Sequence, residues 1–323
     1  MAIASRRRGA DRSRLPWFDL QGHRGARGLW PENTLGGFER TLALGVAAVE
    51  LDCGMSRDGV LVVTHDAHLN PECTRDAHGA FLDPPAPLIH DLNWSELQRF
   101  DVGRLRPGSA YAAEFPEQQA LDGERIPRLR DVLVRVRDQG APHVRVTVEV
   151  KTFPEQPQLT AAPERVAEAL AEVVTETGMR ARTIVQSFDW RVLARVRPLL
   201  PNITIAALTD QQPGEDTVRL GAARPSPWLG GLDPAHYEHS LPRLVRAIGA
   251  SVWSPDYLDL SAPDVAAAQA QGLNVVPWTV NDPADMQRLL DMGVDGLISD
   301  RPDTLRSLLL RRGMAVPPGA PLR

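Results

Sequence analysis

The sequence has few cysteines and no long apolar run, and these absences exclude several classes of protein. It contains two cysteines, Cys53 and Cys73, and no CxxC pair, so neither a disulfide framework nor a cysteine zinc site is expected. No apolar stretch approaches the roughly 20 residues needed to span a bilayer. The first residues are basic but lack the apolar stretch, about 7–15 residues long, of a signal peptide. Together these features predict a cytoplasmic protein, or a periplasmic one if a leader is missing from the sequence.

A basic excess is also absent. The formal net charge is -5 and the pI about 5.9, which argues against a general nucleic-acid binder. An anionic substrate would therefore need positive charge placed locally within its site. The hydrophobic fraction of 43% over 323 residues is enough for a substantial buried core. Composition leaves the oligomeric state open.

Three common catalytic or nucleotide-binding motifs are missing. The glycine-rich segment GHRGARG is not G-x-G-x-x-G, and no GK[ST] loop occurs, so nucleotide binding is not expected. The nucleophile motif G-x-S-x-G of the α/β-hydrolases is absent as well. The chemistry must be sought in other residues.

Eight short β-like runs can be picked out, most of them separated by helix-like segments. Such alternation predicts a parallel sheet with helices outside, and eight units is the count of a (β/α)8 TIM barrel. A doubly wound sheet is the alternative. An extra short β-like run, Val60–Val63, follows the second of the eight runs. The eight runs are Phe18–Gly22, Ala47–Asp52, Arg145–Lys151, Thr183–Ser187, Ile203–Ala207, Ser251–Ser254, Asn274–Val280 and Gly296–Ser299.

The chain divides into one predicted domain with loose ends. Residues 16–311 are expected to form a single barrel domain, residues 1–15 a flexible arm and residues 312–323 a flexible tail. Residues from about 67 to 125 are rich in Pro, Gly and Asp and break the alternation. We expect them to form an insertion after the second strand that shapes the substrate entrance.

Strand alternation groups three carboxylates. Glu50 and Asp52 are i and i+2 on a strand that should be buried, so they share one face and repel each other. Glu149 lies on the polar face of the third run. A cation would relieve the repulsion, and three carboxylates suit Mg²⁺ or Ca²⁺, without choosing between them.

Histidines and cations lie beside these carboxylates. His23 and Arg24 end the first strand, and the rigid guanidinium fork of Arg24 suits a phosphate. Taken alone, His23 and His65 are more often structural than catalytic. Lys151 could add positive charge to the site or merely neutralise Glu149.

The ordered set HRG, PENT, ELD, VVTHD, EVK, QSFD, WTVND and ISDRPD resembles the glycerophosphodiester phosphodiesterase family over about Gln21 to Leu305. The resemblance implies a barrel with an insertion after the second strand. It also implies site residues: His23 and His65 as the catalytic histidines; Glu50, Asp52 and Glu149 as ligands of one divalent cation; Arg24 and Lys151 as phosphate contacts; Phe188 and Trp278 at the substrate pocket.

The implied reaction is hydrolysis of a small-molecule glycerophosphodiester to glycerol 3-phosphate and an alcohol, with one histidine as base and the other as acid. The head group, the assignment of acid and base, and attack by water or by a glycerol hydroxyl stay open. Two alternatives are phospholipase D-like cleavage of lysophospholipids or sphingolipids on the same barrel, and a non-catalytic glycerophosphodiester-binding protein.

Overall fold

The computed structural model describes residues 17–321, and strands and helices alternate along this range. The predicted arm, residues 1–15, lies outside the described residues, as do residues 322 and 323 of the predicted tail. The described strands are β1 Asp19–Gly22, β2 Ala48–Met55, β3 Leu61–Val63, β4 Arg145–Val150, β5 Thr183–Ser187, β6 Thr204–Thr209, β7 Val252–Pro255, β8 Asn274–Val275 and β9 Gly296–Ser299.

Eight helices follow the strands in the order expected of a barrel, and two short ones lie in the long segment after β3. Thr34 caps α1 by accepting a hydrogen bond from Gly37 N–H, and Asp282 caps α9 in the same way. The described helices are α1 Leu35–Leu44, α2 Trp94–Leu97, α3 Ala110–Glu114, α4 Leu129–Gln139, α5 Pro163–Glu176, α6 Trp190–Leu199, α7 Leu241–Ala247, α8 Ala262–Ala270, α9 Pro283–Met292 and α10 Pro302–Arg311.

The sheet is a parallel barrel, as predicted. Its order is β8-β7-β6-β5-β4-β2-β1-β9, with every neighbouring pair parallel. The ring is closed between its end strands by backbone hydrogen bonds, from Asp295 N–H to Val275 O at 2.9 Å and from Ile298 N–H to Pro277 O at 3.0 Å. The carboxyl ends of all eight strands therefore meet at one face, where barrel enzymes carry their sites.

Two predicted strand ends were wrong by three residues or more, and the others by at most two. The second strand continues past Asp52 to Met55, because its end pairs antiparallel with β3. The seventh run was predicted to reach Val280, but β8 is only two residues long. Pro277 lacks an N–H and so removes one donor from the ladder, although Trp278 N–H still donates to Pro255 O at 3.1 Å.

The interior of the barrel is polar on one side and apolar on the other. On the β1, β2 and β4 side, Thr147 donates to Gln21 at 2.7 Å, below the carboxylates of the site. The opposite side is filled by an apolar cluster of Ile184, Ala206, Val252, Val276 and Ile298. The outward-facing residues of β2 and β4, including Val49, Leu51 and Val148, pack under the helices in the main core. Polar groups are thus concentrated on one arc of the ring.

The segment between β3 and α4 has a small apolar core of its own. Leu69, Ile89, Leu97 and Ile126 pack together there with Val62 of β3. The domain limits predicted above, including an insertion at about 67–125, stay predictions. At the other end of the described range, Ala320 N–H donates to Leu42 O of α1 at 3.1 Å.

The structure also describes the two cysteines and the helices that could be tested for a membrane span. Cys53 and Cys73 are both buried and free. Within residues 17–321 we find no helix with the length and hydropathy required to cross a bilayer.

Candidate active site

The loop after β1 turns sharply and brings His23 and Arg24 into the barrel mouth. Arg24, Gly25 and Ala26 all have positive φ, at 49°, 76° and 64°, a conformation that is unfavourable for residues with a Cβ. The turn points the Arg24 N–H at Glu50, whose Oε2 accepts it at 2.9 Å. The strained backbone therefore holds the loop against the first carboxylate of the site.

The three predicted carboxylates do converge. Oxygens of Glu50, Asp52 and Glu149 lie within 4.8 Å of one another, and all three residues are buried. Glu50 Oε1 accepts from Gln186 Nε2 at 3.0 Å, and Asp52 Oδ2 accepts from Asn33 Nδ2 at 2.9 Å. These hydrogen bonds fix the orientation of the cluster.

The three carboxylates of the cluster differ in the direction of their pKa shifts. Burial raises the pKa of Glu50 well above its ordinary value, and the charges of Asp52 and Glu149 raise it further. Burial also raises the pKa of Glu149, against the opposing effect of Lys151. Burial acts in the same direction on Asp52, but Lys151 and Arg24 outweigh it and hold that pKa well below its usual range. The cations present thus compensate Asp52 more fully than its two neighbours.

The two predicted phosphate contacts lie directly against the cluster. Lys151 Nζ lies 2.5 Å from Glu149 Oε1 and 3.2 Å from Asp52 Oδ1. Arg24 Nε lies 3.2 Å from Asp52 Oδ2, while its NH1 donates to Glu32 at 2.9 Å. Because Arg24 is shared with a fourth carboxylate, the triad keeps an excess of negative charge.

This arrangement fits a divalent metal ion. Asp52 Oδ1 and Glu149 Oε1 are buried and share the single ammonium of Lys151, at 3.2 Å and 2.5 Å, so one lysine serves two buried carboxylates and leaves their charge incompletely compensated. All three candidate donors are carboxylate oxygens, the ligands that hard cations prefer. The buried acidic triad therefore indicates a divalent metal site; it does not choose between Mg²⁺ and Ca²⁺.

Both predicted histidines are held through Nδ1 by a carboxylate. His23 Nδ1 lies 2.7 Å from Asp300 Oδ1, and His65 Nδ1 lies 2.7 Å from Asp66 Oδ1. A carboxylate on Nδ1 favours the tautomer with its proton there, which leaves Nε2 free. Burial lowers the pKa of His23 to about 4, although Asp300 opposes the shift. The Nε2 atom of His23 lies 4.0 Å from Glu50 Oε2.

Asp300 is a functional candidate that sequence reasoning missed. Besides His23, it accepts hydrogen bonds from Arg27 Nε at 2.9 Å and from Asn281 Nδ2 at 2.7 Å. Burial opposes its ionisation, but the charges and hydrogen bonds of His23 and Arg27 hold its pKa far below the ordinary value. Asp300 is thus an ionised, buried orienting group for His23.

The candidate residues share one cavity of about 560 Å³ at the carboxyl ends of the strands. Every predicted site residue lines it except Asp52, which lies behind Lys151 and Arg24. Phe188 and Trp278 meet edge to face, with ring centroids 5.3 Å apart, and Lys151 Nζ lies 5.9 Å from the Phe188 centroid. The cavity thus combines acid–base groups, cations and aromatic walls.

Other missed residues also belong to motifs that carried the resemblance. Asn33 lies in PENT, Gln186 in QSFD and Asn281 in WTVND. Asn33 has a φ of 56°, which Asn tolerates better than most residues, but this conformation is not visible in the sequence. Gln186 is an inward-facing polar residue on a buried strand, and that was an available signal.

Comparison with known proteins gives a consistent result. A family profile described as the Glycerophosphoryl diester phosphodiesterase family matches residues 23–304. A glycerophosphodiester phosphodiesterase of Bacillus subtilis (strain 168) is 30% identical over 286 residues, which cover 87% of this chain and 83% of the relative.

Solved structures agree. A crystal structure from Silicibacter pomeroyi DSS-3, provisionally assigned as a glycerophosphoryl diester phosphodiesterase, has a TM-score of 0.82 and 34% identity, covering 94% of this chain and 96% of that one. An Oleispira antarctica phosphodiesterase, solved with the product sn-glycerol-3-phosphate, has a TM-score of 0.65 and 22% identity, covering 91% and 97%. At that identity the second likeness establishes the fold alone.

Proposed function

The chain belongs to the glycerophosphoryl diester phosphodiesterase family, and we propose that it hydrolyses glycerophosphodiesters to glycerol 3-phosphate and an alcohol by metal-dependent catalysis with two histidines. The family makes it a phosphoric diester hydrolase. The observation that carries the finer proposal is the convergence, in one cavity, of two carboxylate-oriented histidines with a buried acidic triad and two cations. The Bacillus subtilis relative, which is named a glycerophosphodiester phosphodiesterase, supports the same reaction here.

The metal ion would be held by Glu50, Asp52 and Glu149. When bound, a divalent cation there would stabilise negative charge that develops on the phosphoryl oxygens. The same three carboxylates would otherwise repel an anionic diester, so the ion also makes the pocket compatible with its substrate. Mg²⁺ and Ca²⁺ both suit the donor set.

The remaining groups have roles that follow from their positions. Arg24 and Lys151 would hold the phosphate oxygens, since both cations line the cavity next to the triad. One histidine would take a proton at Nε2 from the attacking hydroxyl or water, and the other would give a proton from Nε2 to the leaving alcohol oxygen. Asp300 and Asp66 would keep the two rings in the tautomer that this exchange needs.

The test is hydrolysis of glycerophosphocholine, with release of glycerol 3-phosphate followed by a coupled dehydrogenase. The His23→Ala and His65→Ala variants should each lose about 10²–10⁴-fold in kcat. His236→Ala is the matched control, because His236 is exposed and lies outside the cavity. Full activity in either of the first two variants would remove that histidine from the mechanism.

Metal dependence is tested on the same assay. EDTA should abolish activity, added Mg²⁺ or Ca²⁺ should restore it, and Glu50→Gln should require a higher metal concentration for half-maximal rate. An unchanged metal titration in Glu50→Gln would contradict the ligand assignment. A lysophospholipid assayed in parallel tests the phospholipase D-like alternative. The cytoplasmic location predicted from the sequence stays a prediction.

A further inference from the structure

The cavity extends beyond the groups used in the chemistry. Its far wall is built by the segment after β4, with Phe153 and Glu155, and by the segment between β6 and α7, with Asp210 and Trp228. We call these four residues and Arg219 the distal wall. None of them contacts the acidic triad or either histidine through any described hydrogen bond or ion pair. The distal wall therefore needs a different explanation.

Its aromatic part is a pair of perpendicular rings. The rings of Phe153 and Trp228 are perpendicular, at 89°, with centroids 6.4 Å apart. Trp228 Nε1 donates to Glu155 Oε2 at 3.3 Å, and Arg219 donates to Glu155 Oε1 at 2.6 Å. Glu155 thus fixes the indole and has its own charge neutralised. Phe188 already has the Lys151 ammonium near its ring, so Phe153 and Trp228 are the aromatic pair left for a ligand.

Asp210 supplies a negative charge, without a cationic partner among the described residues, to the same cavity that these rings line. It is only 8% exposed and lines the cavity. Its Oδ1 accepts from Gln212 N–H at 2.7 Å, but among residues 17–321 no donor reaches Oδ2 and no cation pairs with the carboxylate. Burial raises the pKa of Asp210 to about 6, and the carboxylates of Asp256 and Asp259 add to the shift. A bound cation would relieve this repulsion.

We propose that the distal wall is the subsite for the alcohol part of the substrate and that it selects an alcohol carrying a positive charge, such as a quaternary or primary ammonium. This inference rests on the proposed function. Perpendicular aromatic faces attract a quaternary ammonium through their quadrupoles, and Asp210 provides the counter-charge. An anionic alcohol would be repelled there, because Glu215 and Asp216 also line this end of the cavity.

The experiment compares two substrates that differ in charge and hardly in shape. One is glycerophosphocholine; the other is the 3,3-dimethylbutyl ester of glycerol phosphate, in which carbon replaces the ammonium nitrogen. We expect wild type to favour the choline ester by at least about tenfold in kcat/KM. In Asp210→Asn that preference should fall below about threefold through a higher KM, with kcat nearly unchanged, because the amide keeps the Gln212 hydrogen bond.

Asp233→Asn is the matched control. It removes one carboxylate from the same segment, where Asp233 caps Ala235 N–H outside the cavity, and should keep the full preference. Equal rates for the two esters in wild type, or an undiminished preference in Asp210→Asn, would overturn the subsite and leave the proposed function standing.

Loss of the proposed function is a separate outcome. Wild type inactive on every glycerophosphodiester, with metal present, would overturn that function. The subsite is then judged by choline alone, titrated against tryptophan fluorescence. A saturable change in wild type that is weakened at least about tenfold in Asp210→Asn would support it, and no saturable change would overturn it.

Discussion

Replacing Asp300 by asparagine tests the orienting role that the structure gives to this carboxylate. Every group that contacts its side chain is a donor: His23 Nδ1 and Arg27 Nε meet Oδ1, while Arg27 NH2 and Asn281 Nδ2 meet Oδ2. An amide NH₂ in place of either oxygen would therefore face another donor. Asn281 cannot simply rotate its amide, because its own Oδ1 already accepts from Asp300 N–H at 2.9 Å.

The expected loss can be worked out from these contacts. A hydrogen bond to a charged group contributes about 1.5–3 kcal/mol, against about 0.5–1.5 kcal/mol for a neutral one. If the amide oxygen stays toward His23, the difference of about 1–1.5 kcal/mol corresponds to roughly a 5–15-fold fall in kcat. If the amide turns its NH₂ toward His23, the ring is pushed into the other tautomer and the fall is larger, about 10²–10⁴-fold.

The assay is steady-state hydrolysis of glycerophosphocholine at saturating metal. We expect kcat of Asp300→Asn to fall at least about fivefold while KM changes by less than about threefold, since Asp300 contacts His23, the proposed base or acid, and does not line the cavity. The orphaned donors should also lower the free energy of unfolding, by about 1–3 kcal/mol. Rates must therefore be measured well below the melting transition, followed by circular dichroism.

Asp303→Asn is the control for this variant. It breaks a two-point ion pair with Arg301 outside the cavity and should leave kcat unchanged. An Asp300→Asn enzyme with wild-type kcat, or one whose loss lies entirely in KM, would refute the orienting role.

Two further predictions concern single residues of the site. Lys151→Arg should lower kcat/KM at least about tenfold, because a planar guanidinium cannot take the place of the compact ammonium between Glu149 and Asp52. A fall in kcat/KM of less than about threefold would contradict this prediction. Arg195→Lys is the kinetic control, since it exchanges the same two residue types at an exposed ion pair. Gly25→Ala should lower the free energy of unfolding by about 1–3 kcal/mol, because φ is 76° and a Cβ would lie 3.0 Å from the Phe38 ring. Gly272→Ala isolates the backbone part in the same denaturant titration, since φ there is 78° with open space around it; equal losses in the two variants would show that the Phe38 contact has no effect.

Strand parity was sufficient to predict which carboxylates face the interior of the barrel. Alternation along β2 placed Glu50 and Asp52 inside the barrel and Leu51 outside, and alternation along β4 did the same for Glu149 and Val148. The parallel order of the strands then brings their ends together, so residues distant in sequence become neighbours. Periodicity is a local property of the chain, and it held wherever a strand was regular.

The features that were missed depend on pairing between distant segments. His23 and Asp300 are 277 residues apart, and nothing in either local pattern indicates that one orients the other. The distal wall lies on irregular segments without periodicity, so the approach of Trp228 to Phe153 could not be predicted. The shortened β8 is different, because Pro277 and its missing N–H are visible in the sequence.

Lys151 is the only lysine of the chain, beside 35 arginines. The single ε-amine lies in the wall of the catalytic cavity, between two carboxylates. A lysine-selective covalent probe therefore has one side chain to modify in the whole protein, and its attachment would report directly on occupancy of the site. Isotope labelling with lysine alone would likewise place one spectroscopic signal beside the acidic triad.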